Sequence, residues 1–484
     1  MTGSGAQAAP PTQSTGRLLA ALIVGGITAV LDTTIVALGL HTITVQLGAA
    51  ISTVQWVSTG YLLALAVAIP FVGWAQARLG AKRLWLLALG VFVLGSTLSA
   101  CAWSAESLIA FRVLQGLGAG VMLPLMQTIA MQSVDPRSRT RTMANISLPA
   151  ALGPILGPVL GGLVLNWLAW RWLFLINVPI GVVGWILAAL FIGDDRPAPG
   201  TARERLDVVG AALLVPALAG LLYGLSNTPT AGGFGQADVL VPVASGAVLL
   251  AAFAVWAVRG AGAAIVDVRL FAVRSVRVSS TALALYGAAL LAGSFLLPLY
   301  LQTVLSHSVL DAALLLIPQG VGTLLARFVV GRLVERFGSR LVAVGGCVLV
   351  AAATLPFALG GAGASLSLLC AILFVRGLGL GVVLIPVITV AYVDIGRDQM
   401  PHASAITRIV QQLGGAFGTA LVAVVLTAAA TQAGAQAGFE SAFWWTIAMT
   451  MAAAVTAMLL PAQESVEPAA AGSPHAKAGV GAAP

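Results

Sequence analysis

The sequence predicts an all-α integral membrane protein with fourteen transmembrane spans, arranged as two six-helix bundles plus two extra central helices. Three observations predict it. Hydrophobic residues make up 59% of the 484 residues and charged residues 8%, against soluble averages of about 45–50% and 25%. The apolar residues fall into runs of about 20, the length that crosses a bilayer. The basic residues fall almost wholly in alternate connections between those runs, as the positive-inside rule requires. The formal charge of +8 is therefore a topology signal, spread one to three residues at a time, and no nucleic-acid surface is expected.

Taken in order, residues 1–16 are small and polar and are expected to form a disordered cytoplasmic tail. Arg17 is their only neighbouring cation and the apolar run after it is too long for a signal peptide. The spans run approximately 18–40, 54–74, 83–102, 107–132, 143–165, 172–192, 207–226, 238–257, 278–303, 311–331, 341–360, 366–391, 402–430 and 440–461. The connections placed inside hold Arg78, Lys82 and Arg83, then Arg137, Arg139 and Arg141, then Arg196, Arg203 and Arg205. Further along they hold Arg259, Arg269, Arg274 and Arg277, then Arg332, Arg336 and Arg340, and Arg397. Outside, only Arg171 is basic. This alternation puts both termini in the cytoplasm.

An internal repeat divides the chain. Gly73 to Gly80 returns 258 residues later as Gly331 to Gly338, and Gly116-Leu-Gly-Ala-Gly120 returns 261 residues on as Gly377-Leu-Gly-Leu-Gly381. At the second offset Gly153 and Gly157 match Gly414 and Gly418. Both copies of each loop fall inside, so the two halves are parallel repeats. The expected organisation is a six-span bundle over 17–192, an inserted two-span region over 193–277, a second bundle over 278–461 and a polar cytoplasmic tail over 462–484.

The fifth span carries the densest pattern, Leu152-Gly-Pro-Ile-Leu-Gly-Pro-Val-Leu-Gly-Gly162. Gly and Pro weaken a soluble helix by about 1 and 3 kcal/mol each, but membrane neighbours can re-satisfy the backbone that they free. Gly153, Gly157 and Gly161 fall on one face, open to close approach by another helix. Together with Pro154, Pro158 and Gly162, and with Leu31 to Val36, Gly73 to Arg83 and Arg112 to Gly118, this run resembles the motifs of the fourteen-span drug:proton antiporter branch of the major facilitator superfamily. The likeness covers about residues 17–461. It implies the major facilitator fold, export by proton antiport, a bacterial inner (cytoplasmic) membrane and a monomer. Gly73, Arg78, Gly80, Lys82 and Arg83, with Gly331, Glu335, Arg336 and Gly338, match its cytoplasmic gating motif. The family usually has an acid where this chain has Ala77; Glu335 keeps one in the second copy.

Asp32 is the one acid near a bilayer midplane. Burial disfavours the charged form of a carboxyl group, and an intramembrane acid marks an ion pathway, so Asp32 is the expected proton carrier. Its plainer role is a hydrogen bond to Thr33, Thr34 or Asn145. Arg112 is its natural electrostatic partner, and the resemblance implies the same proton-coupling role; the plainer role is snorkelling to the interface. Gln115, Asn145, Tyr286, Phe295, Tyr300, Gln319, Arg376 and Gln411 are substrate-cavity candidates, with Tyr61 and Gln127 beside them. Trp56, Trp167, Trp170, Trp172, Trp444 and Trp445 lie at span ends and fit an aromatic belt.

The glycines of 116–120 follow no strand and are not a nucleotide loop. No Walker sequence, metal spacing or catalytic cluster occurs, so the expected drive is the proton gradient, without cofactor or metal, and no enzyme activity is expected. A lone midplane acid points to a neutral or singly cationic lipophilic substrate. An uptake symporter on the same fold is the alternative.

Overall fold

The computed structural model describes residues 15–135, 138–194, 206–231, 233–260, 264–360 and 365–461. Nearly all of both tails lies outside these, as do Arg137, Arg196, Arg203 and Arg205. Among the described residues the regular elements are helices: α1 (Thr15–Leu47), α2 (Ile51–Ala68), α3 (Val72–Leu79), α4 (Ala81–Ala100), α5 (Ala105–Gln132), α6 (Arg139–Ile146), α7 (Leu148–Trp167), α8 (Trp172–Leu175) and α9 (Asn177–Phe191). Then come α10 (Val208–Ala231), α11 (Ala237–Arg259), α12 (Arg274–Thr303), α13 (Val309–Leu315), α14 (Ile317–Ala358), α15 (Leu366–Val390), α16 (Met400–Ala433) and α17 (Ala435–Met458).

Twelve described segments are long and apolar enough to cross a membrane, so the protein is a multi-pass membrane protein. Two features reconcile that number with the fourteen runs. The segment Asp311–Ala358 has 48 residues, about 72 Å at 1.5 Å per residue, more than twice the hydrocarbon core. It turns at Gly338, where φ is 80° and ψ 156°, a region open essentially to glycine alone. Val329 and Leu333 before the turn, and Val342 and Leu349 after it, line one cavity, so the chain doubles back. The other is α7, 20 residues long, which accounts for the fifth run. That run begins with a break at Ser147 between α6 and α7, because Pro149 sits at the start of α7, where its missing N–H leaves no broken bond.

The repeat is visible in the packing. Gly80 adopts φ 80°, ψ 159°, the same backbone as Gly338. A Cβ on Gly118 would lie 2.6 Å from the Ala88 carbonyl oxygen, and one on Gly379 2.9 Å from that of Gly346; these residues are 261 and 258 apart. Helices α1, α2, α4, α5, α7 and α9 pack as one bundle, and α12, α14, α15, α16 and α17 as the other. Helices α10 and α11 pair with each other, and α10 also lies against α2 and α16, one helix from each bundle; Trp56 of α2 stacks on Tyr223 of α10 at 5.5 Å.

The glycine face of α7 packs on α1. A Cβ would come within 2.5 Å of Val30 at Gly153, 2.5 Å of the Thr34 Cβ at Gly157 and 2.8 Å of Leu38 at Gly161, whereas Gly162 faces open space. The side chains of Pro154 and Pro158 lie outside the described part. Of the six belt tryptophans five are exposed, but Trp170 is fully buried against Phe174, because the short α8 folds it under the end of α4.

Candidate functional site: a buried ion pair and the cavity between the halves

Helix α5 starts at a capping box, with Ser104 and Ser107 each bonding the other's backbone N–H. That start sets Arg112 two turns in, facing α1. The Arg112 Nη1 donates to Asp32 Oδ2 at 2.5 Å and to Gln115 Oε1 at 2.7 Å, and its Nε donates to the Val57 carbonyl at 3.2 Å. Its guanidinium lies 4.0 Å from the centroid of the Tyr61 ring, a cation–π contact. The other carboxylate oxygen, Asp32 Oδ1, accepts from Gln115 Nε2 and Asn177 Nδ2, each at 3.0 Å. Ser96 accepts from Gln115 at 3.1 Å and donates its own hydroxyl hydrogen bond to the Phe174 carbonyl at 2.9 Å.

Asp32 is 0% and Arg112 1% exposed. A lone buried charge costs several kcal/mol, so the pair persists because each charge is neutralised and hydrogen-bonded by the other and by neutral amides. Thr33 and Thr34 bond the carbonyls of Val30 and Leu31 instead of Asp32, and Asn145 is exposed. The arrangement can hold one negative charge out of water and lose it by accepting a proton, which frees Arg112.

The second half repeats this scaffold without the acid. Arg376 Nε donates to Thr354 Oγ1 at 3.2 Å, the counterpart of Gln115 donating to Ser96, at the same offsets of 261 and 258. Its Nη1 donates to Gln319 Oε1 at 2.7 Å, and its Nη2 packs against Gly293. The remaining candidates scatter. Tyr286 donates to the Leu380 carbonyl at 3.0 Å. Tyr300 is core, ringed by Phe357, Phe439 and Phe443 at 5.5–5.6 Å, and Phe295 packs at the edge of that cluster.

A cavity of about 60 Å³ lies between the halves, lined by Leu123, Gln127, Ser147, Leu384, Arg408 and Gln411 among others. Leu123 and Leu384, Gln127 and Ile388, and Ser147 and Arg408 are each 261 residues apart, so the cavity sits on the axis that relates the repeats. Gln411 and Gln127 are the residues singled out by sequence that line it. Arg408, Ser147, Asn177 and Ser96 were not singled out by sequence. Asn177 and Ser96 carried a signal as polar residues inside apolar runs; Arg408 lies close enough to a span end to pass for an interfacial cation.

Where Gly80 and Gly338 lie, the halves are joined. Arg139 donates to the Tyr392 carbonyl at 2.5 Å, Gln132 to the Arg397 carbonyl at 2.9 Å, and Thr128 shares a 2.9 Å hydrogen bond with Ser404. Arg327 donates to Ser147, and Gly73 packs beside Pro401 and His402. Glu335 reaches Arg141 of the other half at 3.7 Å, but both are more than half exposed; such pairs contribute about 0–1 kcal/mol. Arg139 is buried and bonds the Tyr392 carbonyl out of water, and that burial, with the nearby Arg397, lowers its pKa from the ordinary value. Glu335→Gln is therefore expected to cost at most about 1 kcal/mol of thermal stability, while Arg139→Ala opens this end and raises solvent accessibility of a cysteine placed at Ser404. Equal labelling rates in the two variants would contradict this ranking.

The Major Facilitator Superfamily model matches residues 22–419. The chain is 36% identical over 428 residues to "Multidrug resistance protein B homolog" of Mycobacterium tuberculosis, covering 88% of this chain and 79% of that protein. It is 30% identical over 427 residues to "Multidrug export protein EmrB" of Haemophilus influenzae, covering 87% and 82%. The crystal structure of the human organic anion transporter MFSD10 superposes with a TM-score of 0.65 at 20% identity, over 93% of this chain and 100% of that one, which shows the shared fold.

Proposed function

Because the chain belongs to the Major Facilitator Superfamily, we propose that this transporter exports lipophilic drugs, antibiotics or related small molecules in exchange for protons, by alternating access. The observation that carries the reading is the buried Asp32–Arg112 pair, held by Gln115 and Asn177 in the first bundle. The names of the relatives support export over uptake.

In this reading a proton arriving from outside neutralises Asp32 and dissolves its pairing with Arg112. The stranded guanidinium then turns to its remaining acceptors, Gln115 Oε1 and the Val57 carbonyl, and the contacts of α5 with α1 and α2 change with it. Asn177 Oδ1 is buried without a partner; turning that amide by about 180° would present it as acceptor for the carboxyl proton. The α1–α7 glycine contact couples this event to the helix beside the cavity. Rocking of the two bundles about the central site then exposes it to alternate sides. The present cavity, about 60 Å³, is far below the roughly 300–1,000 Å³ of a drug site, so substrate binding requires the joined end to open. The proton gradient drives the cycle without a cofactor, and each charge moved gains about 2.3 kcal/mol per 100 mV. The alternation of basic connections supports cytoplasmic termini in an inner membrane, and the protein is taken to act as a monomer.

The test is proton release from purified protein in weakly buffered detergent on adding ethidium or anilinonaphthalenesulfonate. Wild type should release protons and Asp32→Asn should not. Undiminished release from the variant would remove Asp32 as carrier and turn attention to Glu335.

A further inference from the structure

We propose that the cavity between the halves is built for an amphipathic anion, a lipophilic molecule carrying a carboxylate, sulfonate or phenolate, with Arg408 as its counter-ion. This deepens the export reading by naming the substrate class, and it rests on that reading only for the direction of transport.

The cavity is apolar over most of its wall, from Val30, Met126, Met143 and Ile146 in the first half to Leu384 and Ile388 in the second. Arg408 is the charged side chain among its lining residues. Its Nη1 donates to Gln411 at 3.3 Å and its buried Nε has no partner. Among the described residues no carboxylate forms an ion pair with it, and neither the Asp32–Arg112 nor the Glu335–Arg141 pair involves it. A guanidinium on the wall of an apolar cavity needs an anion or strong acceptors. Asp32 does not supply one, because both its oxygens are taken and it does not line the cavity.

The repeat sharpens the point. Arg408 stands 261 residues after Ser147, so at matched positions on the axis one half offers a hydroxyl and the other a cation. Pseudo-symmetry would place like groups there; the chain has instead made one wall cationic. Gln411 beside Arg408 and Gln127 across from it also line the cavity, and each carries an amide NH2 able to donate to a carboxylate or sulfonate. A lipophilic cation would meet the same apolar walls and a like charge. Sequence alone points the opposite way, to a neutral or singly cationic substrate, because the midplane acid is legible there and the place of Arg408 on the cavity wall is not.

Tetraphenylborate and tetraphenylphosphonium test this, since they match in size and shape and differ in charge. Binding is measured by equilibrium dialysis against purified protein in an uncharged detergent, corrected with empty micelles. Wild type should bind the borate at least tenfold more tightly than the phosphonium. Arg408→Gln should lose that preference and Arg408→Lys should keep it. Equal or tighter phosphonium binding by wild type overturns the proposal without any variant, and so does an unchanged preference in a folded Arg408→Gln. Proton-driven phosphonium uptake into inverted vesicles, with no Arg408-dependent anion preference, would overturn this site and leave antiport standing. An Arg408-dependent preference with no proton-driven uptake of either ion would do the reverse.

Discussion

Arg112→Leu should destabilise the protein by about 3–5 kcal/mol, the loss measured when one partner of a buried ion pair is removed. The Asp32 carboxylate would be left 0% exposed with only the amides of Gln115 and Asn177, which cannot neutralise it. Adding Asp32→Asn to Arg112→Leu removes the stranded charge, so the double variant should be more stable than Arg112→Leu alone. Thermal unfolding in detergent reads the order directly. If the double variant is no more stable than the single one, the pair is not what holds α1 to α5, and packing alone must be credited.

The second large effect comes from a close helix contact, with a control of opposite sign. A Cβ on Gly377 would overlap the Gln319 carbonyl group, its carbon 2.8 Å and the Gln319 Cα 2.9 Å away. These are backbone atoms, so α14 and α15 must part, and Gly377→Ala should lose about 1–3 kcal/mol by overpacking. Gln319 also holds Arg376 at 2.7 Å, so the damage reaches the buried guanidinium. Gly90, inside α4, meets nothing within 4 Å, and Gly90→Ala should gain about 1 kcal/mol of helix stability. Unfolding midpoints that move in the same direction for both variants would refute the assignment of Gly377 to a packing contact.

Much of the architecture was legible because it is written in local pattern. Membrane length, the inside–outside split of arginines and the 258- and 261-residue offsets need no knowledge of packing. The offsets even foretold matching backbone, as at Gly80 and Gly338, since only glycine adopts that turn. Helix ends were less legible. The break at Ser147 depends on where proline falls within a run, not on hydropathy, whereas the turn at Gly338 falls in the connection expected between 331 and 341.

The candidate site divides along the same line. Asp32 and Arg112 stood out in sequence because a charge in hydrocarbon is expensive wherever it lies. Asn177 and Ser96 did not, since a polar side chain in a span costs little enough to be common, and only proximity to Asp32 gives them meaning. Tyr300 and Arg408 show the other side. An aromatic near a span end can be core or cavity, and Tyr300 is core; an arginine near a span end can snorkel or face the axis, and Arg408 faces the axis.

By itself, then, the sequence determined that this chain crosses the membrane many times as a duplicated bundle with one deep acid and one matching cation. Composition and periodicity report on solvent, and the bilayer constrains every residue along a span alike. Which charges cancel, and which cation lines the cavity between the halves, was decided only by the tertiary structure. Pairing depends on the angle at which helices distant in sequence meet, and no pattern within one helix encodes that angle.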